Sequence, residues 1–72
     1  SECNVIFNLS KNGNVNIGVY NLSGRLMLNK EYKNRVSGGQ NIELDIDGLS
    51  RGTYIIQMTS GNQKLTKKLL KL

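Results

Sequence analysis

The sequence predicts an all-β fold, an antiparallel β-sandwich built from about six or seven short strands. Two observations lead to this prediction. In several segments apolar and polar residues alternate with a period of two, which is typical of strands that bury one face. Between these segments lie clusters of glycine, asparagine and serine, the residues that favour tight turns.

The first two strands are predicted on either side of a turn that contains glycine. Apolar residues occupy every second position from Cys3 to Leu9, and the alternation resumes at Val15. The Asn12-Gly13 dipeptide between them favours a two-residue hairpin. We therefore expect the first two strands to pair with each other in antiparallel fashion.

The middle of the chain predicts two further strands. A Ser23-Gly24 turn is followed by a short apolar run, 26–28, and then by a polar segment in which two adjacent glycines mark a reversal. The clearest alternation follows: Ile42, Leu44 and Ile46 share one face, and Glu43, Asp45 and Asp47 share the other. A calcium site needs about six converging oxygens, whereas carboxylates along one strand diverge, so we expect a solvated outer face and no metal or cofactor.

The stretch LSRGTYIIQM, residues 49–58, predicts a corner of the sandwich followed by a strand. Leu49 stands alone among turn-forming residues, so we expect it to close the end of the core. Gly52 permits a backbone conformation that is costly for residues with a Cβ atom. Tyr54 is predicted to bury its ring and to bond the backbone through its hydroxyl group.

The last segment, QKLTKKLLKL, is basic and has two interpretations. Its leucines at positions 65, 69 and 72 also fit helical spacing, but the hairpin-type link at 60–62 favours a strand. Net charge is +5, and the last nine residues carry four lysines and no acidic residue. Such a terminus attracts anionic partners; alternatively, the lysines keep an edge strand soluble.

The composition argues against several functional classes. The chain has no histidine, the usual general base, so Cys3, the only cysteine, has no partner to activate it and is predicted to be a small core residue. We therefore expect no enzymatic activity. Nucleic-acid binding is not expected because the basic tail lacks aromatic residues and arginine. No apolar run approaches the ~20 residues of a membrane span, so no direct membrane insertion is expected.

Four short motifs, taken in order, resemble those of the type IX secretion C-terminal sorting domains of the Bacteroidetes. They are an apolar strand entering Tyr-x-x-x-Gly-Arg, a glycine–asparagine pair before an alternating strand, Leu-x-x-Gly-x-Tyr, and a Thr-Lys-Lys element in the final strand. The matching residues are Tyr20, Gly24 and Arg25; Gly39 and Asn41; Leu49, Gly52 and Tyr54; and Thr66, Lys67 and Lys68.

The resemblance implies an Ig-like sandwich, with residues 1–72 forming one sorting domain at the C-terminus of a longer exported protein. It implies passage of an upstream cargo domain through the periplasm and the outer-membrane translocon, and recognition and removal by a sortase at the cell surface. Translocon and sortase components are the expected partners. We expect Lys67, Lys68, Lys71 and Leu72 to be recognised, and Tyr20, Gly24, Arg25, Gly39, Leu49, Gly52 and Tyr54 to maintain the fold.

The sequence is also compatible with two alternatives to a sorting domain. Sorting domains often carry Pro-Asn-Pro before the first strand, and this chain has no proline. If that motif is missing, the chain also resembles the Ig-like module of flagellar hook-capping proteins. A second alternative is an accessory sandwich of a surface enzyme that acts as a spacer, docks another domain or binds glycans.

Overall fold

The computed structural model describes residues 2–72, in which the regular structure consists of six β-strands. This confirms the prediction of an all-β fold that is compatible with an Ig-like sandwich. Since residues 2–72 form no helix, none of the described segments is a helix long and apolar enough to cross a membrane. The strands are β1 (Glu2–Leu9), β2 (Gly13–Asn21), β3 (Leu26–Arg35), β4 (Gly38–Asp45), β5 (Gly52–Ser60) and β6 (Gln63–Lys71).

The strands form two sheets of unequal size. The small sheet contains β1 and β4, and the large sheet has the strand order β3-β2-β5-β6. All neighbouring strands within each sheet are antiparallel. The apolar faces of both sheets point inward and form one core, as expected for a sandwich. The buried core residues are Val5, Phe7, Leu9, Val15, Ile17, Val19, Ile42, Leu44, Ile46, Leu49, Tyr54, Ile56 and Met58.

The predicted hairpin between the first two strands is wrong. β1 pairs with β4 along its whole length, from Glu2 opposite Asp45 to Leu9 opposite Gly38, while β2 pairs with β3 and β5. The Asn12 side chain accepts a hydrogen bond from the Ser37 amide at 2.7 Å. The segment that contains Asn12 therefore carries the chain from one sheet to the other. A local turn signal was outweighed by long-range burial of two apolar strand faces.

β3 extends much further than its apolar run predicted. It spans ten residues, most of them polar, because it is an edge strand of the large sheet and only part of its inner face meets the core. Leu28 and Tyr32 provide that contact. Polar residues elsewhere along an edge strand discourage pairing with another chain.

The corner between β4 and β5 has the predicted construction. Leu49 is buried, and its amide donates a 3.0 Å hydrogen bond to the Ile46 carbonyl. The buried Tyr54 donates its hydroxyl proton to the Ser50 carbonyl at 2.6 Å. Gly52 has φ of +149°, a region that residues with a Cβ atom rarely occupy. The corner thereby closes one end of the core.

Candidate functional site

The basic C-terminal segment forms β6, an edge strand of the large sheet. It pairs with β5 from Ser60 opposite Gln63 to Gly52 opposite Lys71. The two-residue turn between the strands includes Gly61, with φ of +55°. The strand interpretation of this segment is therefore confirmed, and the helical interpretation is wrong.

The two faces of β6 differ in their surroundings. Side chains alternate across a strand, so every second residue of β6 shares the side of Leu65 and Leu69, which pack against the core. The inner-face residues are Gln63, Leu65, Lys67, Leu69 and Lys71, and the outer-face residues are Lys64, Thr66, Lys68 and Leu70.

Gln63 links the start of β6 to the end of β1. Its amide nitrogen donates to the Asn8 carbonyl at 2.7 Å. Its amide oxygen accepts hydrogen bonds from the Ser10 amide and the Ser10 hydroxyl, both at 2.9 Å. One side chain thus joins an edge strand of the large sheet to an edge strand of the small sheet.

The two inner-face lysines of β6 also bind main-chain carbonyls. Lys67 donates to the Ile6 carbonyl of β1 at 2.6 Å. Lys71 is half-buried and donates to the carbonyls of Ile46 at 2.6 Å and Leu49 at 2.8 Å, with Asp47 at 3.4 Å. The Ile6 carbonyl lies on an edge of β1, and the other carbonyls lie in the loop after β4. Within residues 2–72, no neighbouring strand donates hydrogen bonds to them, so the lysine ammonium groups act as donors instead.

The four residues predicted to be recognised therefore occupy two different environments. Lys67 and Lys71 are engaged by the main chain of the domain. Lys68 lies exposed on the outer face, its side chain makes no hydrogen bond to any residue in the range 2–72, and Leu72 is 90% exposed. Only Lys68 and Leu72 present their whole side chains to another molecule.

The sequence contained a signal for this division that the prediction did not use. Lys67 and Lys71 have the same period-two phase as Leu65 and Leu69, which places all four on the inner face. Gln63 has the same phase and was also missed. The sequence could not show which carbonyls these side chains would reach, because the acceptors come from β1 and from the loop before β5.

The turn between β2 and β3 contains part of the Tyr-x-x-x-Gly-Arg motif and depends on a residue that the prediction did not single out. The Asn21 side-chain oxygen accepts hydrogen bonds from the amides of Ser23 at 3.0 Å and Arg25 at 2.9 Å. Gly24 has φ of +87° and donates its amide to the Asn21 carbonyl. Tyr20 is half-buried at the end of β2. Asparagine is well suited to such local capping of a turn.

Gly39 lies apart from this turn, in β4, where it is opposite Asn8. Its φ is not positive, and a Cβ atom added there would meet no other atom within 4 Å. The structure therefore gives no steric reason for glycine at this position.

The outer face of the small sheet is acidic. Glu2 is opposite Asp45, and Glu43 lies on the same face two residues along β4. The protonated carboxyl group of Glu43 donates a hydrogen bond to the Glu2 carboxylate; this bond and the repulsion between the two charges raise the pKa of Glu43 above its ordinary value of 4.5. Within residues 2–72, no group of three or more histidine, cysteine, aspartate or glutamate side chains has a geometry that could hold a metal ion.

Comparison with known protein families gives a match. The model of the secretion system C-terminal sorting domain family matches residues 3–72. The chain belongs to this family. No curated protein and no solved structure matches it significantly.

Membership establishes the general role of this sorting domain. The family consists of C-terminal sorting signals of type IX secretion and is non-catalytic, which confirms the prediction that the chain is not an enzyme. Proteins that carry such a signal are exported to the cell surface or secreted. The sorting domain therefore acts in secretion together with a cargo domain.

Proposed function

We propose that residues 1–72 act as one unit at the C-terminus of a longer protein and direct that protein from the periplasm through the type IX outer-membrane translocon. At the cell surface a sortase then recognises the domain and removes it. The observation that carries the proposal is the family match over residues 3–72, together with the exposed outer face of β6.

Within this proposal the two faces of β6 have different tasks. Lys68 and Leu72 are contacted directly by the translocon and the sortase, since both are exposed. Lys67 and Lys71 are positioning residues, because their hydrogen bonds to Ile6 and Ile46 hold the strand against the rest of the domain. A recognition strand held in this way loses little conformational entropy on binding.

A transfer experiment tests the proposal. Residues 1–72 are fused to the C-terminus of a reporter enzyme that carries a periplasmic export signal, in a bacterium with a type IX system. We expect the reporter at the surface or in the medium, with a loss of mass corresponding to this domain. In a strain without the translocon, the fusion should remain full-length in the periplasm.

The control is the same reporter without residues 1–72, which should stay in the periplasm of both strains. Equal delivery of the two reporters would contradict the proposal. So would delivery that persists without the translocon. A fusion that is retained in the periplasm of the competent strain would instead favour an accessory module.

A further inference from the structure

A groove crosses the outer face of the large sheet, between the β2–β3 turn and β6. Its volume is about 420 Å³. Six of its residues come from β2, the turn and β5, and a seventh, Thr66, comes from β6, two positions before Lys68. We call it the outer groove; it is lined by Tyr20, Asn21, Leu22, Gly24, Ile55, Gln57 and Thr66.

Tyr20, which lines the outer groove, has its ring close to Gly18. A Cβ atom on Gly18 would lie 3.1 Å from Cε1 of Tyr20 and 3.4 Å from a methyl carbon of Leu26. The Tyr20 ring therefore lies against the sheet in space that a side chain at position 18 would occupy. Glycine at position 18 therefore leaves room for the ring of Tyr20, one of the residues that line the groove.

Leu22 lines the outer groove, and two further exposed leucines, Leu26 and Leu70, lie on the same face of the large sheet. Leu22 is 73% exposed, Leu70 is 60% exposed and Leu26 is 48% exposed. Leu26 is opposite Tyr20, and Leu70 is next to Lys71 at the end of β6. Single exposed leucines are common on protein surfaces, but several on the face that contains a groove mark an interaction surface.

The charges around the outer groove are predominantly positive. Tyr20, Ile55 and Lys68 form one cross-strand row, so the Lys68 side chain extends from the same face as the groove. Arg25 adjoins Gly24 in the turn. Of the acidic residues, Glu2, Glu43 and Asp45 lie on the opposite side of the sandwich, on the small sheet, whereas Glu31 lies on the same face as the groove but on β3, opposite Asn16. The field at the groove therefore attracts carboxylates.

We propose that the outer groove binds an extended segment of an export-machinery protein, in which aliphatic side chains are flanked by aspartate or glutamate. The aliphatic groups cover Leu22, Ile55 and Leu70, and the carboxylates meet Lys68. This inference rests on the proposed sorting function and identifies the surface and the partner chemistry through which that function operates. It places recognition on the sheet face as well as at the terminus.

Photocrosslinking in the reporter strain tests the inference. A photoreactive benzoylphenylalanine replaces Leu22 at the groove or, as a control, Asn41 on the small sheet. We expect a discrete adduct with a protein of the export machinery from position 22 and none from position 41. Lys68→Glu should reduce the yield of that adduct by about tenfold or more, whereas Lys68→Arg should preserve it.

A second arm compares reporter export for groove and control variants. The double variant Leu22→Glu, Leu70→Glu places two acidic residues where the proposed partner is acidic, so export should fall by about tenfold or more. Ile6→Glu makes the same kind of change on the small sheet, where Ile6 is 59% exposed, and should leave export unchanged. Circular dichroism of each purified domain checks that it is folded.

The outcomes separate failure of this inference from failure of the sorting function. If the wild-type domain exports the reporter but the folded groove variant exports it equally well, the groove inference is overturned and the sorting function stands. If the wild-type domain exports nothing, the sorting function itself has failed. Two further results would assign the groove to another occupant and overturn the inference. The purified wild-type domain could sediment as a dimer, or it could bind phosphatidylglycerol vesicles, and in either case the groove variant would lose this property.

Discussion

The ammonium group of Lys71 lies 2.6 Å from the carbonyl oxygen of Ile46, and it also bonds the carbonyl of Leu49 at 2.8 Å. The penultimate residue of the chain thereby fixes the loop that begins the β4–β5 corner. Since Lys71 is also the last residue of β6, this contact joins the end of β6 in the large sheet to the loop that follows β4 of the small sheet. From composition alone, Lys71 would be counted among the solvated charges of a basic tail. Its hydrogen bonds instead give it a structural role.

Lys71→Met should lower the free energy of unfolding by about 1–3 kcal/mol, because most of the aliphatic side chain is kept but the carbonyls of Ile46 and Leu49 lose the hydrogen bonds from the ammonium group, and Ile46 retains the one from the Leu49 amide. Urea denaturation of the purified domain measures the change. Lys68→Met is the matched control on the outer face and should change stability by less than about 0.5 kcal/mol. Equal effects of the two substitutions would contradict the structural role of Lys71.

Tyr54→Phe should destabilise the domain by about 1 kcal/mol while leaving its fold intact, because the Ser50 carbonyl loses a 2.6 Å hydrogen bond. Thermal unfolding followed by circular dichroism measures this loss. Tyr32→Phe removes a hydroxyl group with no hydrogen bond in the range 2–72 and should be nearly neutral. A neutral Tyr54→Phe would show that the corner does not depend on that bond.

Gly52→Ala should cost about 1–3 kcal/mol, because alanine is strained at φ of +149°. Steric overlap is not the reason, since an added Cβ atom would meet nothing within 4 Å. Gly48→Ala is the control in the same loop: its site is equally open, its φ is not positive, and stability should stay constant or rise by up to about 1 kcal/mol. Similar losses at both positions would contradict the backbone explanation.

The carboxyl group of Glu43 should titrate above its ordinary value of 4.5, because Glu2 raises its pKa. A raised pKa means that the folded domain holds this proton more tightly than the unfolded chain does. The associated stabilisation is complete below pH 4.5 and is lost as the pH rises through the pKa of the folded state.

Carbon-detected NMR titration of the Glu43 carboxyl group measures this pKa directly. Glu2→Gln removes the neighbouring charge and should lower the pKa of Glu43 toward its ordinary value. A pKa for Glu43 that is the same with and without the Glu2 charge would contradict the assigned cause.

The strands could be predicted from the sequence because their alternation is local. The inner face of β4 follows from Ile42 and Leu44, and the corner follows from Leu49, Gly52 and Tyr54, whose conformational requirements are residue-specific. The pairing of β1 could not be predicted in the same way. Its apolar face fits several partners, and only burial against the whole core selects β4 over β2.

The candidate site was predicted at the right strand but without its division into two faces. The lysine cluster indicated β6, yet charge alone did not distinguish Lys67 and Lys71 from Lys68. The outer groove was not predicted, because it combines Tyr20, Ile55 and Thr66 from three strands whose register becomes known only from the structure.

The central claim is that β6 closes the domain with one face and is recognised through the other. The direct test is export of the reporter fused to the domain in which Lys68→Glu is combined with removal of Leu72, beside Lys11→Glu as a charge-matched control. Deleting residues 68–72 together would not test recognition alone, because the deletion also removes Lys71 and the hydrogen bonds that stabilise the domain.

We predict that the outer-face variant unfolds at the same urea concentration as the wild-type domain but delivers at least about tenfold less reporter to the surface, with Lys11→Glu unchanged in both measurements. If the folded outer-face variant delivered as much reporter to the surface as the wild-type domain does, the claim that β6 is recognised through its outer face would be contradicted.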